Sequence, residues 1–242
     1  MTHLPAERAC VISTHLDDAV LSCGASIAAW DHPLVLTVFT DAPPVDRTDG
    51  WNYATTGEPF APRSQSVRRD EDAAALALLD AEPAWLGLHE AEYRPDGQNI
   101  GELAAAIGAF LDDRDVTDVV APLGLRHPDH HAVADACRLL IADGSPRRWL
   151  VALDLPYART FPELVRPRLD ALRADGFELV EVEPVSVAGT PKAAAVSAYA
   201  SQIEAVRGEH PDLDAALLDD ERMWRIVGPG GAARRPPAST IT

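Results

Sequence analysis

Cysteine is scarce in this chain: Cys10, Cys23 and Cys137 make three, an odd number with no CxxC pair. That excludes a disulfide framework and a thiolate metal cage, and reduced thiols in a cytoplasmic protein are the expectation. Cys23 and Cys137 sit in apolar, helix-like surroundings and read as core filler. Long hydrophobic runs are missing too; none approaches the ~18 residues of a membrane span. The N-terminus Met1-Thr2-His3-Leu4-Pro5 lacks the basic-then-apolar pattern of a secretory signal. No membrane partner is therefore expected. Positive charge is short, with 21 Lys and Arg against 38 Asp and Glu and a formal net charge of −17. A nucleic-acid partner, which needs cations clustered on one face, is excluded on that ground. No internal repeat is visible.

What is present is an ordinary globular composition, 47% hydrophobic and 24% charged over 242 residues, enough to fill one core. Residues 1–228 read as a single domain. The breakers Gly228-Pro229-Gly230-Gly231 and Arg234-Arg235-Pro236-Pro237 make 229–242 a flexible tail. Apolar, β-branched runs predict strands over 9–14, 34–40, 84–88, 116–121 and 149–155, and an extended strand over 177–187. Helices are predicted over 18–30, 64–79, 101–111, 131–141 and 192–204. The buried stripe of the second is assigned to Val67, Ala74, Leu78 and the neighbouring alanines. Alternating strands and helices predict an α/β fold with a mostly parallel sheet covered on both faces. The loop from Asp41 to Pro62 is long for a compact domain, as functional loops often are.

Two histidine–aspartate clusters follow predicted strands. His15-Leu16-Asp17-Asp18 comes after the first, and His127-Pro128-Asp129-His130-His131 after the fourth. Ligands of open α/β sheets bind beyond the carboxyl ends of the strands, so clusters distant in sequence can meet there. Either cluster alone reads as a helix cap or a polar turn. Together they supply imidazoles and carboxylates in the number a catalytic zinc requires, three protein ligands and an open position. His15, Asp18 and His130 can supply those ligands. Asp17, between two ligand positions, is free to act as general base on a water. His127 can protonate a leaving group or stabilise an oxyanion, with Asp129 beside it to fix its tautomer. His3, His32, His89 and His210 stand without companions and read as surface or core histidines.

These residues resemble the PIG-L/LmbE-like zinc N-deacetylase family. The resemblance rests on Thr14-His15-Leu16-Asp17-Asp18 and His127-Pro128-Asp129-His130. Weaker support comes from Arg68-x-x-Glu71, Trp85-Leu86-Gly87-Leu88 and the run from Lys192 to Tyr199-Ala200-Ser201-Gln202. It implies a Rossmann-like fold and zinc-dependent hydrolysis (another divalent transition metal being an alternative) of an N-acetyl group on a small-molecule amino sugar, such as an N-acetylglucosamine conjugate. It implies His15, Asp18 and His130 as ligands, Asp17 as base, and His127 with Asp129 as acid or stabiliser. Arg68, Arg94 and Arg126 are the expected substrate contacts. Leu16 and Ala19 depart from the proline and glutamate of many members, and neither is an expected ligand. Leu125 stands where some mycothiol-pathway members carry a tyrosine that helps polarise the carbonyl, which leaves Arg126 or zinc alone as the expected oxyanion helper. Glu90–Arg94 and the segments near Tyr93 and Tyr157 are expected to shape the substrate cleft. An amidase of the same site type acting on a larger acyl group or thiol conjugate is the alternative. A non-catalytic metal- or nucleotide-binding module is a distant one, since the first strand–helix turn carries carboxylates where a pyrophosphate needs glycines. A homo-oligomer stays open.

Overall fold

The computed structural model describes residues 8–43, 45–48, 53, 62–94 and 96–228, with 62 and 63 by their backbone alone. The expected tail over 229–242 and most of the 41–62 loop lie outside these residues. Five parallel strands form the body of the sheet: β1 (Ala9–Ser13), β2 (Leu34–Asp41), β3 (Glu82–His89), β4 (Asp118–Pro122) and β5 (Arg148–Ala152). β1 is buried throughout, β2 up to its last residue, β4 and β5 over four of their five. Their near-continuous apolar runs reflect a sheet covered on both faces.

One face is covered by α1 (Asp18–Ala29), α2 (Pro62–Leu78) and, late in the chain, α7 (Lys192–Ser197). Val20, Ile27, Leu76, Leu79 and Val196 pack there against Val11 and Val35. The other face is covered by α3 (Ile100–Asp113), α4 (Pro128–Ala142) and α6 (Val165–Ala174), through residues such as Ile107, Val133 and Leu172. The remaining helices α5 (Tyr157–Thr160), α8 (Ile203–Glu209) and α9 (Leu213–Ala216) are short. Among the described residues no helix is long and apolar enough to cross a membrane.

Three sequence-based expectations are corrected. The extended strand over 177–187 is only β6 (Glu178–Glu181), followed by an isolated bridge between Val185 and Glu221; Pro184 cannot donate to a ladder. The helix over 192–204 stops after Ser197 and resumes as α8 at Ile203. The stripe on α2 is largely misplaced: Val67, Ala74 and Leu78 are exposed, Ala75 alone of the neighbouring alanines is buried, and the other buried side chains are Gln65, Arg68, Asp72, Leu76 and, just past the helix, Leu79. Half of that stripe is polar, so a hydrophobicity pattern misses it; Arg68 and Asp72 face polar partners. Asp72 accepts from Trp85 Nε1 at 2.9 Å and from the Tyr199 hydroxyl at 2.8 Å.

Sequence reading missed one strand altogether. β7 (Met223–Val227) runs antiparallel between β5 and β6, giving the order β3-β2-β1-β4-β5-β7-β6. The chain leaves β1 in one direction, to β2 and β3, and returns on the other side as β4. The crevice of such a reversal lies between the carboxyl ends of β1 and β4.

Candidate metal centre and its cavity

Both histidine–aspartate clusters emerge into that crevice. After β1 the Ser13 hydroxyl donates to the His15 carbonyl (2.7 Å) and accepts from the Ala19 N–H (3.0 Å), which closes the turn into α1. Asp17 is the N-cap residue of α1, yet its side chain makes no capping bond. It lines the cavity instead. After β4 the His127 N–H reaches back to the Leu125 carbonyl at 2.7 Å, across Arg126 at φ 63°. Pro128 then starts α4 at the position where its missing N–H costs nothing. The second cluster is thus largely helical, with Asp129 and His130 on the first turn of α4.

His15, Asp18 and His130 each present one ligand atom, all within 4.8 Å of one another. Asp18 Oδ2 lies 3.2 Å from His15 Nδ1 and 3.1 Å from His130 Nε2, and accepts from the His15 N–H at 2.8 Å. His130 Nε2 is buried and has no hydrogen-bond partner among the described residues, despite its closeness to Asp18. The other ring nitrogens of both histidines face carboxylates: His15 Nε2 meets Asp129 Oδ2 at 3.2 Å and His130 Nδ1 meets Asp154 Oδ2 at 3.3 Å. Carboxylates behind metal-binding imidazoles fix their tautomer and orientation. Two such pairs, and a buried nitrogen with nothing to bond, fit a divalent metal held by His15, Asp18 and His130.

Asp154 escaped sequence reading because it follows β5 as a lone acid without a motif. It accepts from the backbone N–H groups of Leu123 (2.9 Å), Gly124 (2.9 Å) and Leu125 (2.5 Å). The expected pairing of Asp129 with His127 is corrected: the two approach only to 3.8 Å, while Asp129 bonds His15, the Ala91 N–H (2.9 Å) and the Arg94 guanidinium. His127 Nδ1 accepts from the Asp129 N–H at 3.2 Å as the cap of α4.

The electrostatics follow from burial and mutual contact. Burial, reinforced by Asp18, pushes Asp17 up to about 7. Burial would also raise Asp18, but His130 and His15 outweigh it and hold that carboxyl well below its usual range. Burial lowers His127 to about 4, and His15 adds to the effect. His127 is therefore neutral near neutral pH, and a neutral ring that accepts at Nδ1 carries its proton on Nε2.

The cavity over this group has a volume of about 780 Å3, counted with its open mouth. Arg68 lines it, with its guanidinium 3.0 Å from Glu90 Oε1. Glu90 and Glu92 line it as the sequence suggested, but Arg94 does not. Its guanidinium turns inward onto Asp129 and the His89 carbonyl and stacks 4.6 Å from the Phe39 ring centre. Arg126 is exposed outside the cavity lining and lies over Phe161 at 5.2 Å. Of the three expected substrate arginines, only Arg68 stands in the cavity. His210, read from sequence as a surface or core residue, lines it as well.

The family model described as PIG-L, GlcNAc-PI de-N-acetylase, matches residues 10–141, more than half of the chain. The chain belongs to the PIG-L family. The match spans both histidine–aspartate clusters and ends before Asp154. Among solved structures, this PIG-L family protein is similar to a deacetylase of teicoplanin biosynthesis (29% identity, TM-score 0.69, 93% of this chain and 100% of the other). It is also similar to the A40926 pseudoaglycone deacetylase Dbv21 (27%, TM-score 0.73, 93% and 99%). The teicoplanin deacetylase Orf2, solved in a zinc-inhibited form, is a third (28%, TM-score 0.69, 93% and 100%). Among curated proteins none matches.

Proposed function

We propose that this protein is a zinc-dependent N-deacetylase that removes acetate from an N-acetylated amino sugar carried on a larger conjugate. The observation that carries the reading is the convergence of His15, Asp18 and His130, with an uncapped Asp17 beside them on the cavity wall. The similarity to the teicoplanin and A40926 deacetylases, over nearly their whole length, supports an acetylated sugar conjugate as substrate. Zinc is the proposed metal because two imidazoles and a carboxylate suit it and a relative was solved with it, in an inhibited form.

The bound metal would act as a Lewis acid on the amide carbonyl and would acidify a water. This chain's own residues do the rest. Asp17, its affinity for protons raised by burial, takes the proton of the attacking water. The protonated Asp17 then gives it to the departing amine, so that acetate and free amine leave in balance. His127, neutral and bonded at Nδ1, donates from Nε2 to the developing oxyanion. Asp129 and Asp154 hold the two ligand imidazoles. Arg68, fixed by Glu90, contacts the sugar from the α2 side.

The test is acetate release from a panel of N-acetylated amino sugars and glycoconjugates by the zinc-loaded protein. Acetate is expected, with about one zinc per chain. An Asp17→Asn variant is expected to keep its zinc and lose about 100-fold or more in turnover. Release of a longer acid instead would transfer the site to the amidase reading. Zinc-loaded protein that cleaves none of the panel would overturn the deacetylase reading.

A further inference from the structure

The wall of the cavity carries several side chains able to donate a hydrogen bond, and most are already engaged. Arg68 holds Glu90, Gln202 Nε2 donates to the Ser201 carbonyl at 3.0 Å, and His210 Nδ1 meets the Thr160 hydroxyl at 2.9 Å. Tyr157 is different. It is the first residue of α5, three positions after Asp154 on the chain that leaves β5. Its ring stands edge-on to the His130 ring, centroids 5.1 Å apart at 85°, and equally to His210 at 5.1 Å and 84°. It lines the cavity, and among the described residues its hydroxyl makes no hydrogen bond. His127 packs on the same ligand ring, with centroids 6.0 Å apart. Two donors without a bond among the described residues, the Tyr157 hydroxyl and His127 Nε2, thus flank His130.

A phenol held by two ring contacts on an open cavity wall is positioned to donate a hydrogen bond from its hydroxyl to a substrate atom that displaces solvent. The atom nearest the ligand group in any amide bound there is its carbonyl oxygen. We propose that Tyr157 is a second catalytic donor, whose hydroxyl bonds that oxygen and strengthens the bond as negative charge builds on it. The proposal rests on the hydrolase reading above. It assigns to the end of β5 a direct part in the chemistry, beside the ends of β1 and β4.

The test compares wild type with Tyr157→Phe, which keeps the ring and its packing on His130 and His210. Losing one such donor is expected to lower kcat about 100-fold, with KM changed by no more than about twofold and zinc content and Tm unchanged. A second readout does not depend on turnover. Acetate, a carboxylate that offers the same oxygen, is titrated into both zinc-loaded proteins, and the variant is expected to bind it about 10-fold more weakly. Equal acetate affinity, no acetate binding by either protein, or a loss confined to KM would each overturn the proposal, the last making Tyr157 a mere binding contact. A wild type that binds acetate but deacetylates nothing would sink the deacetylase reading, while the acetate comparison still decides Tyr157.

Discussion

Asp154 serves two structures at once. Its carboxylate collects three consecutive backbone N–H groups from the loop after β4 and faces His130 Nδ1. An ionised acid is acceptor-only and fits four donors, whereas an amide must turn an NH2 towards at least one of them. Asp154→Asn should therefore both loosen the loop and misorient a metal ligand. The expected outcome is zinc affinity 10- to 100-fold lower, roughly the cost of losing an orienting partner, measured by competition with a chelator. Unchanged affinity would show that His130 is held by packing alone. Asp129 plays the matching part for His15, and its bond to Arg94 explains why that arginine is turned away from the cavity. The charge that sequence reading offered to a substrate is spent inside the fold.

At the scale of elements, the site is made by turns at strand ends. The turn after β4 carries two residues in the left-handed region, Gly124 at φ 83° and Arg126 at φ 63°. Gly124 has no room for a side chain: a Cβ there would lie 2.5 Å from the Ala134 Cβ and 3.0 Å from the His130 carbonyl. Both neighbours belong to α4, so the close approach of loop and helix depends on glycine. Gly124→Ala is expected to destabilise the protein by at least about 2 kcal/mol through overpacking and backbone strain, and to weaken zinc binding because His130 must shift. Chemical denaturation with and without zinc measures both; a variant as stable as wild type would mean that the loop relaxes freely. The same turn sets His127, whose N–H bonds across the strained Arg126 position.

Across the whole molecule, the late segments are tied to the first helix by a buried charge cluster. The chain has a single lysine, Lys192, and its side chain is almost wholly buried, with Nζ 2.8 Å from Glu221 Oε1. Glu221 also accepts from the N–H groups of Ala25 and Ser26 and from the Ser26 hydroxyl, in the middle of α1. Gly24 makes room: a Cβ there would approach Lys192 Cγ to 2.9 Å. Glu221 directly precedes the β7 segment, so this cluster anchors the antiparallel insertion against the helix that starts at the metal ligands. Lys192→Met leaves a buried carboxylate without its cation and is expected to cost roughly 3–5 kcal/mol. Adding Glu221→Gln should recover only part of that loss, because it removes the unpaired charge but turns an NH2 towards the Ala25 or Ser26 N–H. Urea unfolding of the single and double variants distinguishes a true pair, which couples, from two independent contacts, which add.

Short local motifs carry the histidines and carboxylates that converge at the candidate centre, and apolar runs mark most of the parallel body of the sheet. His15, Asp17, Asp18 and His130 stand in short local motifs, and motifs at strand ends have few places to go in an open sheet. β1, β2, β4 and β5 are apolar runs whose burial follows from hydrophobicity, whereas β3 at the sheet edge is only half-buried. Folding alone brings in the distant groups. Asp154 and His210 carry no local pattern, and they reach the crevice, with the Tyr157 segment that the sequence placed at the cleft, because β5 and the helices after it fold back beside β4. The place of β7 is equally non-local, since a short apolar run pairs with whichever strands the rest of the chain leaves open. The α2 stripe was misread for a related reason: its buried face is polar and is held by hydrogen bonds across the fold rather than by apolar periodicity. Local patterns record what a residue must avoid in water, whereas a hydrogen-bond partner a hundred residues away leaves no mark until the chain is folded.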